Sequence, residues 1–141
     1  FGFPGMRVLM FGFSGEPAFN PNAVHNIPEH CVVYTGTHDN NTVRGWFETE
    51  ASAAEKRRLS FIAGRRIAAR DAAGELIRMA MRSPARWAVI PVQDLLGLSA
   101  TARMNTPGQL QGNWSWRLTE RQLDALPGDH FRELAVTFGR A

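Results

Sequence analysis

At 141 residues, 44% of them hydrophobic, the chain has the composition of an ordered globular unit, which excludes a disordered tail. Its formal charge of +3 comes from basic residues, all but Lys56 arginine, that are scattered rather than gathered into one patch with aromatics, so nucleic acid is not an expected partner. No apolar run approaches the roughly 18–20 residues of a membrane span, and the single cysteine, Cys31, allows no disulfide framework, so a soluble chain in a reducing, cytoplasmic compartment is expected, with no membrane partner.

In chain order, Phe1 rather than Met opens the sequence and Arg7 interrupts the first apolar stretch. This is no signal peptide, and the chain is expected to begin inside something larger. Residues 6–13, MRVLMFGF, predict a strand buried on both faces. Residues 14–30, SGEPAFNPNAVHNIPEH, predict a long ordered loop, and loops of that length in compact domains are usually functional. Residues 31–36, CVVYTG, predict a second buried strand. A helix is expected over 43–50 with Thr42 as its cap, and another over 52–65. A third is expected over 71–82, with Asp71 at its start, Arg78 and Arg82 at its end as the helix dipole favours, and Pro84 stopping it. Residues 87–96, WAVIPVQDLL, predict a third strand, although Pro91 removes one ladder donor. A second long loop covers 97–117. A short helix begins at Thr119, and a last one covers 129–138 with Asp129 as cap.

Buried strands separated by helices imply an α/β chain with a parallel sheet. Long loops at the strand ends suit a (β/α)8 TIM barrel, where active sites are built from those loops. Three strands cannot close a barrel of about 250 residues, so residues 1–141 are expected to be a partial catalytic barrel domain.

The densest polar cluster, THDNNT at 37–42, follows directly on the second predicted strand. Asp39 admits two readings. It is a carboxylate aimed into a sugar or polyol site, with His38, Asn40 and Asn41 as neutral partners, or Asp39 or one of the asparagines caps the helix that follows. His25 sits in the first long loop within reach of a ligand, whereas His30 and His130 read as surface residues. No metal-binding HxH or HExxH, no GxSxG and no phosphate-binding GxxxxGK[ST] occurs. In RMNTPG, 103–108, Asn105 either bonds a ligand hydroxyl or its own loop. In GNWSWR, 112–117, Trp114 and Trp116 either offer faces to sugar rings or pack as core.

Four motifs occur together and in order: FPGMRVLMF at 3–11, VYTGTHDNNTVRGW at 33–46, PVQDLLGL at 91–98 and RMNTPGQLQGNWSWR at 103–117. In this combination the chain resembles, over essentially its whole length, the C-terminal part of 4-α-glucanotransferases of the amylomaltase, or disproportionating enzyme, type. The resemblance implies strands six to eight, with their helices, of a (β/α)8 barrel. It implies cofactor-independent, retaining transfer of α-1,4-glucan segments, with malto-oligosaccharides and glucose as substrates. The family uses a nucleophilic Asp after strand four, an acid/base Glu after strand five and a transition-state-stabilising Asp after strand seven. The last maps onto Asp39, a catalytic residue on this reading. His38 then contacts the same sugar ring, and Asn105 lines the substrate site from the loop after strand eight. On this reading the other two carboxylates are expected before Phe1, and Glu16 and Asp94 do not occupy their motifs. Two positions depart from the family pattern: Asn41, where an acidic residue follows HDN, and Ala23-Val24, where Leu-Pro precedes the His-Asn pair. A related α-glucan hydrolase or debranching enzyme, or a non-catalytic glucan-binding protein on the same scaffold, are the alternative readings.

Overall fold

Parallel pairing organises the chain. In the computed structural model, which describes residues 2–140, strands β1 (Gly5–Val8), β2 (Cys31–Tyr34) and β3 (Trp87–Val89) lie side by side in that order, every pair parallel. Helices α1 (Val43–Thr49), α2 (Ala53–Ala63) and α3 (Ala69–Arg82) connect β2 to β3. Helices α4 (Val92–Leu95), α5 (Glu120–Asp124) and α6 (Gly128–Thr137) follow β3. The expected parallel α/β order is therefore present.

The strands are shorter than the apolar runs that announce them. Of 6–13, only the start is strand, and Leu9–Phe13 winds into a 3-10 turn. The Val8 amide donates to Asn22 Oδ1 at 3.0 Å, so the long loop closes the ladder there. Gly12 lets the turn lie on that loop: a Cβ at this position would meet the Asn22 carbonyl carbon at 2.9 Å. The second strand stops at Tyr34 rather than at residue 36. The third, expected over 87–96, ends at Val89, and Pro91 stands as the N-cap residue of α4. Proline cannot donate to the ladder, and a short apolar run does not by itself distinguish strand from buried helix.

Burial corrects a second expectation. The strands are buried deeply on one face and only partly on the other. Met6, Val32 and Trp87 stand abreast in register, as do Val8, Tyr34 and Val89. On this face Met6 is 57% exposed and Val89 45%, whereas Val8 is buried where the long loop covers it. In a barrel such residues fill the interior together with those of the other strands. Cys31 and Val33, on the opposite face, are fully buried in one core with Leu59, Leu76 and Met79.

Helix ends follow their side chains. Thr42 Oγ1 accepts from Gly45 N at 3.0 Å and caps α1 as expected. Ser52 with Glu55 forms a capping box on α2, and Thr119 with Gln122 forms one on α5. Helix α3 begins at Ala69, two residues before the expected start, and α2 ends at Ala63, before Gly64, whose φ is 69°. Asp129 is not a cap. Helix α6 starts at Gly128 behind Pro127 with no side-chain cap, and Asp129 lies in its first turn. Among the described residues no helix is long and apolar enough to cross a membrane.

Helix α1 packs on α3 and on the 3-10 turn Ala100–Ala102. The second contact requires a glycine, since a Cβ at Gly45 would meet the Ala100 Cα at 2.9 Å and the Asn41 side chain closer still. Gly45→Ala in a full-length chain carrying these residues is expected to cost roughly 1–3 kcal/mol through overpacking. The thermal midpoint reads this, and an unchanged midpoint would mean that the 100–102 turn yields freely.

Candidate active site

Because the three strands are parallel, the loops that follow them gather at one end of the sheet, which in barrels is the end that carries chemistry. The loop after β2 folds around Asn40, whose Oδ1 accepts from Thr37 N and Thr37 Oγ1, both at 2.9 Å, while its backbone N–H donates to Thr37 O at 3.1 Å. Asn41 is buried and donates from Nδ2 to Glu50 Oε1 at 2.8 Å. Both asparagines, expected as possible ligand partners, build the loop instead. His38 and Asp39 are left at its tip, with side chains 58% and 50% exposed.

Asn105 arrives there from the loop after β3. Its amide donates to His38 O at 3.1 Å, and its Nδ2 donates to Asp39 Oδ1 at 2.5 Å. His38 Nε2 lies 3.4 Å from the same oxygen. The three site residues expected from the sequence therefore meet at one carboxylate. Its other oxygen, Oδ2, meets no donor among the described residues. The capping reading of Asp39 fails, because Thr42 is the cap.

Arg103 braces this junction. Its Nη2 donates to Asp39 O at 2.9 Å and its Nε to Asn105 O at 2.8 Å, and Nη1 pairs with Glu50 Oε1 at 3.2 Å. One planar guanidinium thus ties the two loops to the end of α1. Trp114 has a φ of 59°, a left-handed conformation that bulky side chains rarely adopt. Its amide donates to Met104 O at 2.7 Å, and its ring centroid lies 5.1 Å from that of His38. Of the two tryptophans, Trp114 thus packs beside the site residues, while Trp116 is half-buried. His25 is elsewhere: its Nε2 lies 3.1 Å from Pro17 O, and it borders a groove with Arg58 and Phe61.

Two cavities flank the tip of the β2 loop. One of about 380 Å³ opens over the exposed sheet face, bordered by Met6, Tyr34, Val89, His38 and Asp39. The other, of about 160 Å³, lies among Asn41, Gln93, Asp94, Met104 and Trp114. Asp39 borders the first, and His38 borders both. No cluster of His, Cys, Asp or Glu among the described residues is suited to a metal ion.

One further residue, set aside from the catalytic carboxylates in the sequence, has a structural role that the sequence did not indicate. Asp94, only 3% exposed, accepts from Thr35 Oγ1 at 2.6 Å and from Val43 N at 2.8 Å. Burial pushes its carboxyl above the ordinary carboxylate range, and these two hydrogen bonds pull it partly back. The available signal was an acidic residue inside the apolar run PVQDLL.

The glycoside hydrolase family 77 model, described as 4-alpha-glucanotransferase, matches residues 1–123. The chain belongs to the 4-alpha-glucanotransferase family. It is 43% identical over 140 residues to a 4-alpha-glucanotransferase of Thermus thermophilus, covering 96% of this chain and 28% of that protein. It is 42% identical over 140 residues to the chloroplastic/amyloplastic 4-alpha-glucanotransferase of Solanum tuberosum, covering 97% of this chain and 24% of that one. The fold is similar to that of the amylomaltase from Streptococcus agalactiae solved in complex with acarbose, with a TM-score of 0.90 at 29% identity over 99% of this chain and 28% of that chain. The sheet and its helices are accordingly part of a (β/α)8 barrel of the amylomaltase kind. The chain spans about a quarter of the length of the 4-alpha-glucanotransferases it matches.

Proposed function

We propose that residues 1–141 form strands six to eight of the catalytic barrel of a 4-alpha-glucanotransferase that moves α-1,4-glucan segments between malto-oligosaccharides. The observation that carries this reading is the meeting of His38, Asp39 and Asn105 at the mouth of the sheet, in a chain of this family. The reaction is a retaining double displacement. A carboxylate attacks the anomeric carbon while an acid protonates the departing glucan oxygen. The hydroxyl of an acceptor glucan then displaces the enzyme carboxylate as the same acid, now a base, takes its proton. Asp39 performs neither transfer. Its negative charge faces the oxocarbenium-like centre and is worth most when positive charge develops there. His38 and Asn105 hold hydroxyls of the same ring, and no cofactor is needed.

Incubating a full-length chain carrying these residues with maltotriose tests the reading. Glucose should appear together with glucans longer than maltotriose. Shorter chains alone would make the protein a hydrolase, and no turnover would leave only a glucan-binding role. His38→Ala and Asn105→Ala are each expected to cost about 1–4 kcal/mol of transition-state stabilisation, read as the fall in kcat/KM. A malto-oligosaccharide complex with either side chain turned away from the sugar would reject that contact. A cytoplasmic location belongs to the same reading. It is supported by a single, buried and unpaired thiol that calls for no oxidising compartment, and cell fractionation checks it.

A further inference from the structure

The loop that carries His38 and Asp39 runs from the end of β2 to the start of α1, and both of its ends meet one side chain. Thr35, just before the loop, donates through Oγ1 to Asp94 Oδ2 at 2.6 Å. Val43, the first residue of α1, donates its amide to Asp94 Oδ1 at 2.8 Å. That amide belongs to the first turn of a helix and has no partner within the helix. Thr35 is itself completely buried. Asp94 sits on α4, in the segment that continues to Arg103 and Asn105. One carboxylate therefore brackets residues 36–42 from below, on the same stretch of chain that delivers Asn105 to Asp39 from above.

We propose that Asp94 is a positioning residue of the transfer reaction: by holding Thr35 and Val43 together it sets where the loop presents Asp39 and His38 to the sugar. The proposal rests on the reading of Asp39 given above. Asp94 is only 3% exposed and both its oxygens are engaged by Thr35 and Val43, so it acts through the loop. A catalytic group displaced by about 1 Å can lose about 10²-fold in rate, and a seven-residue loop that loses the side chain joining its two ends has that latitude. Two features argue against a role in stability alone. Leaving a carboxyl buried carries a desolvation penalty that an apolar residue would avoid. Both of its oxygens are spent on the ends of this one loop, and none on its own helix. Asparagine can reproduce the arrangement, because its carbonyl oxygen accepts from Val43 N while its amide donates to Thr35 Oγ1.

The experiment uses a full-length chain carrying these residues, assayed with maltotriose well below its thermal midpoint, with folding checked by circular dichroism. Asp94→Ala is expected to lower kcat by about 10²-fold with little change in KM, and Asp94→Asn to restore most of the loss. If Asp94→Ala does not fold, Thr35→Val, which removes one of the two bonds, carries the test and is expected to lower kcat about tenfold. Wild-type kcat in a folded Asp94→Ala or Thr35→Val protein overturns the proposal, as does an Asp94→Asn enzyme as slow as Asp94→Ala. Asp39→Asn is run beside them. If it turns over like wild type, the reading of Asp39 fails. If it is inactive while Asp94→Ala is unimpaired, only the positioning role fails.

Discussion

Asp39→Asn, in a full-length chain carrying these residues, is expected to lower turnover of maltotriose by on the order of 10³-fold or more while the protein keeps its thermal midpoint. The substitution is nearly isosteric and removes only the charge. The geometry explains why the fold should not notice. Asp39 is half exposed, caps no helix, and receives its one short side-chain bond from Asn105, which an amide oxygen can also accept. The backbone of Asp39 is held separately, through the Arg103 guanidinium on its carbonyl. Local structure therefore survives while the electrostatic contribution to an oxocarbenium-like transition state is lost. KM should change far less than kcat, because the uncharged ground-state sugar gains little from the carboxylate. A folded Asp39→Asn enzyme with near-normal kcat would remove Asp39 from the mechanism.

Residues 1–141 expressed alone are expected to show no disproportionation of maltotriose and to be poorly soluble or loosely folded. The three-stranded sheet has two edges, at β1 and β3, with unsatisfied backbone groups that pair readily with other chains. Its open face carries Met6, Trp87 and Val89, all substantially exposed, and Phe3, near β1, is 80% exposed. Retaining chemistry also needs a nucleophile and an acid/base with carboxyl groups about 5–5.5 Å apart, and the family motifs for neither occur within these residues. Purifying the fragment, recording its thermal unfolding and following glucose release from maltotriose decides the matter. A cooperative, monomeric and active fragment would overturn both the open-edge argument and the assignment of its strands as six to eight.

The candidate site shows where local signals are sufficient and where they stop. Thr42 as the cap of α1 was legible because a capping hydroxyl acts on an amide three residues away. The start of α5 at Thr119 was legible for the same reason. The third strand was not, since eight of the ten residues in 87–96 are apolar side chains or proline in a run too short for periodicity to separate strand from helix. Only the path of the chain shows Pro91 ending the ladder and opening α4. The roles of the asparagines were equally hidden. Asn40 and Asn41 stand in the motif beside Asp39, yet both are turned inward to build the loop, whereas Asn105 reaches the carboxylate from 66 positions away.

By itself, then, the sequence determined an α/β chain of parallel strands, the helix starts at Thr42 and Thr119, and the two motifs that hold His38, Asp39 and Asn105. Each depends on side chains that act on neighbours within a few residues, or on combinations of residue types that can be read in line. Only the tertiary structure decided that Arg103 joins the two loops, that Trp114 packs on His38 and that Asp94 gathers Thr35 and Val43 from 59 and 51 positions away. Those contacts arise from the parallel register of β1, β2 and β3, which brings the loops after the strands to one end. Register is set by burial of Cys31 and Val33 against the helices, a property of the assembled core that no local stretch contains.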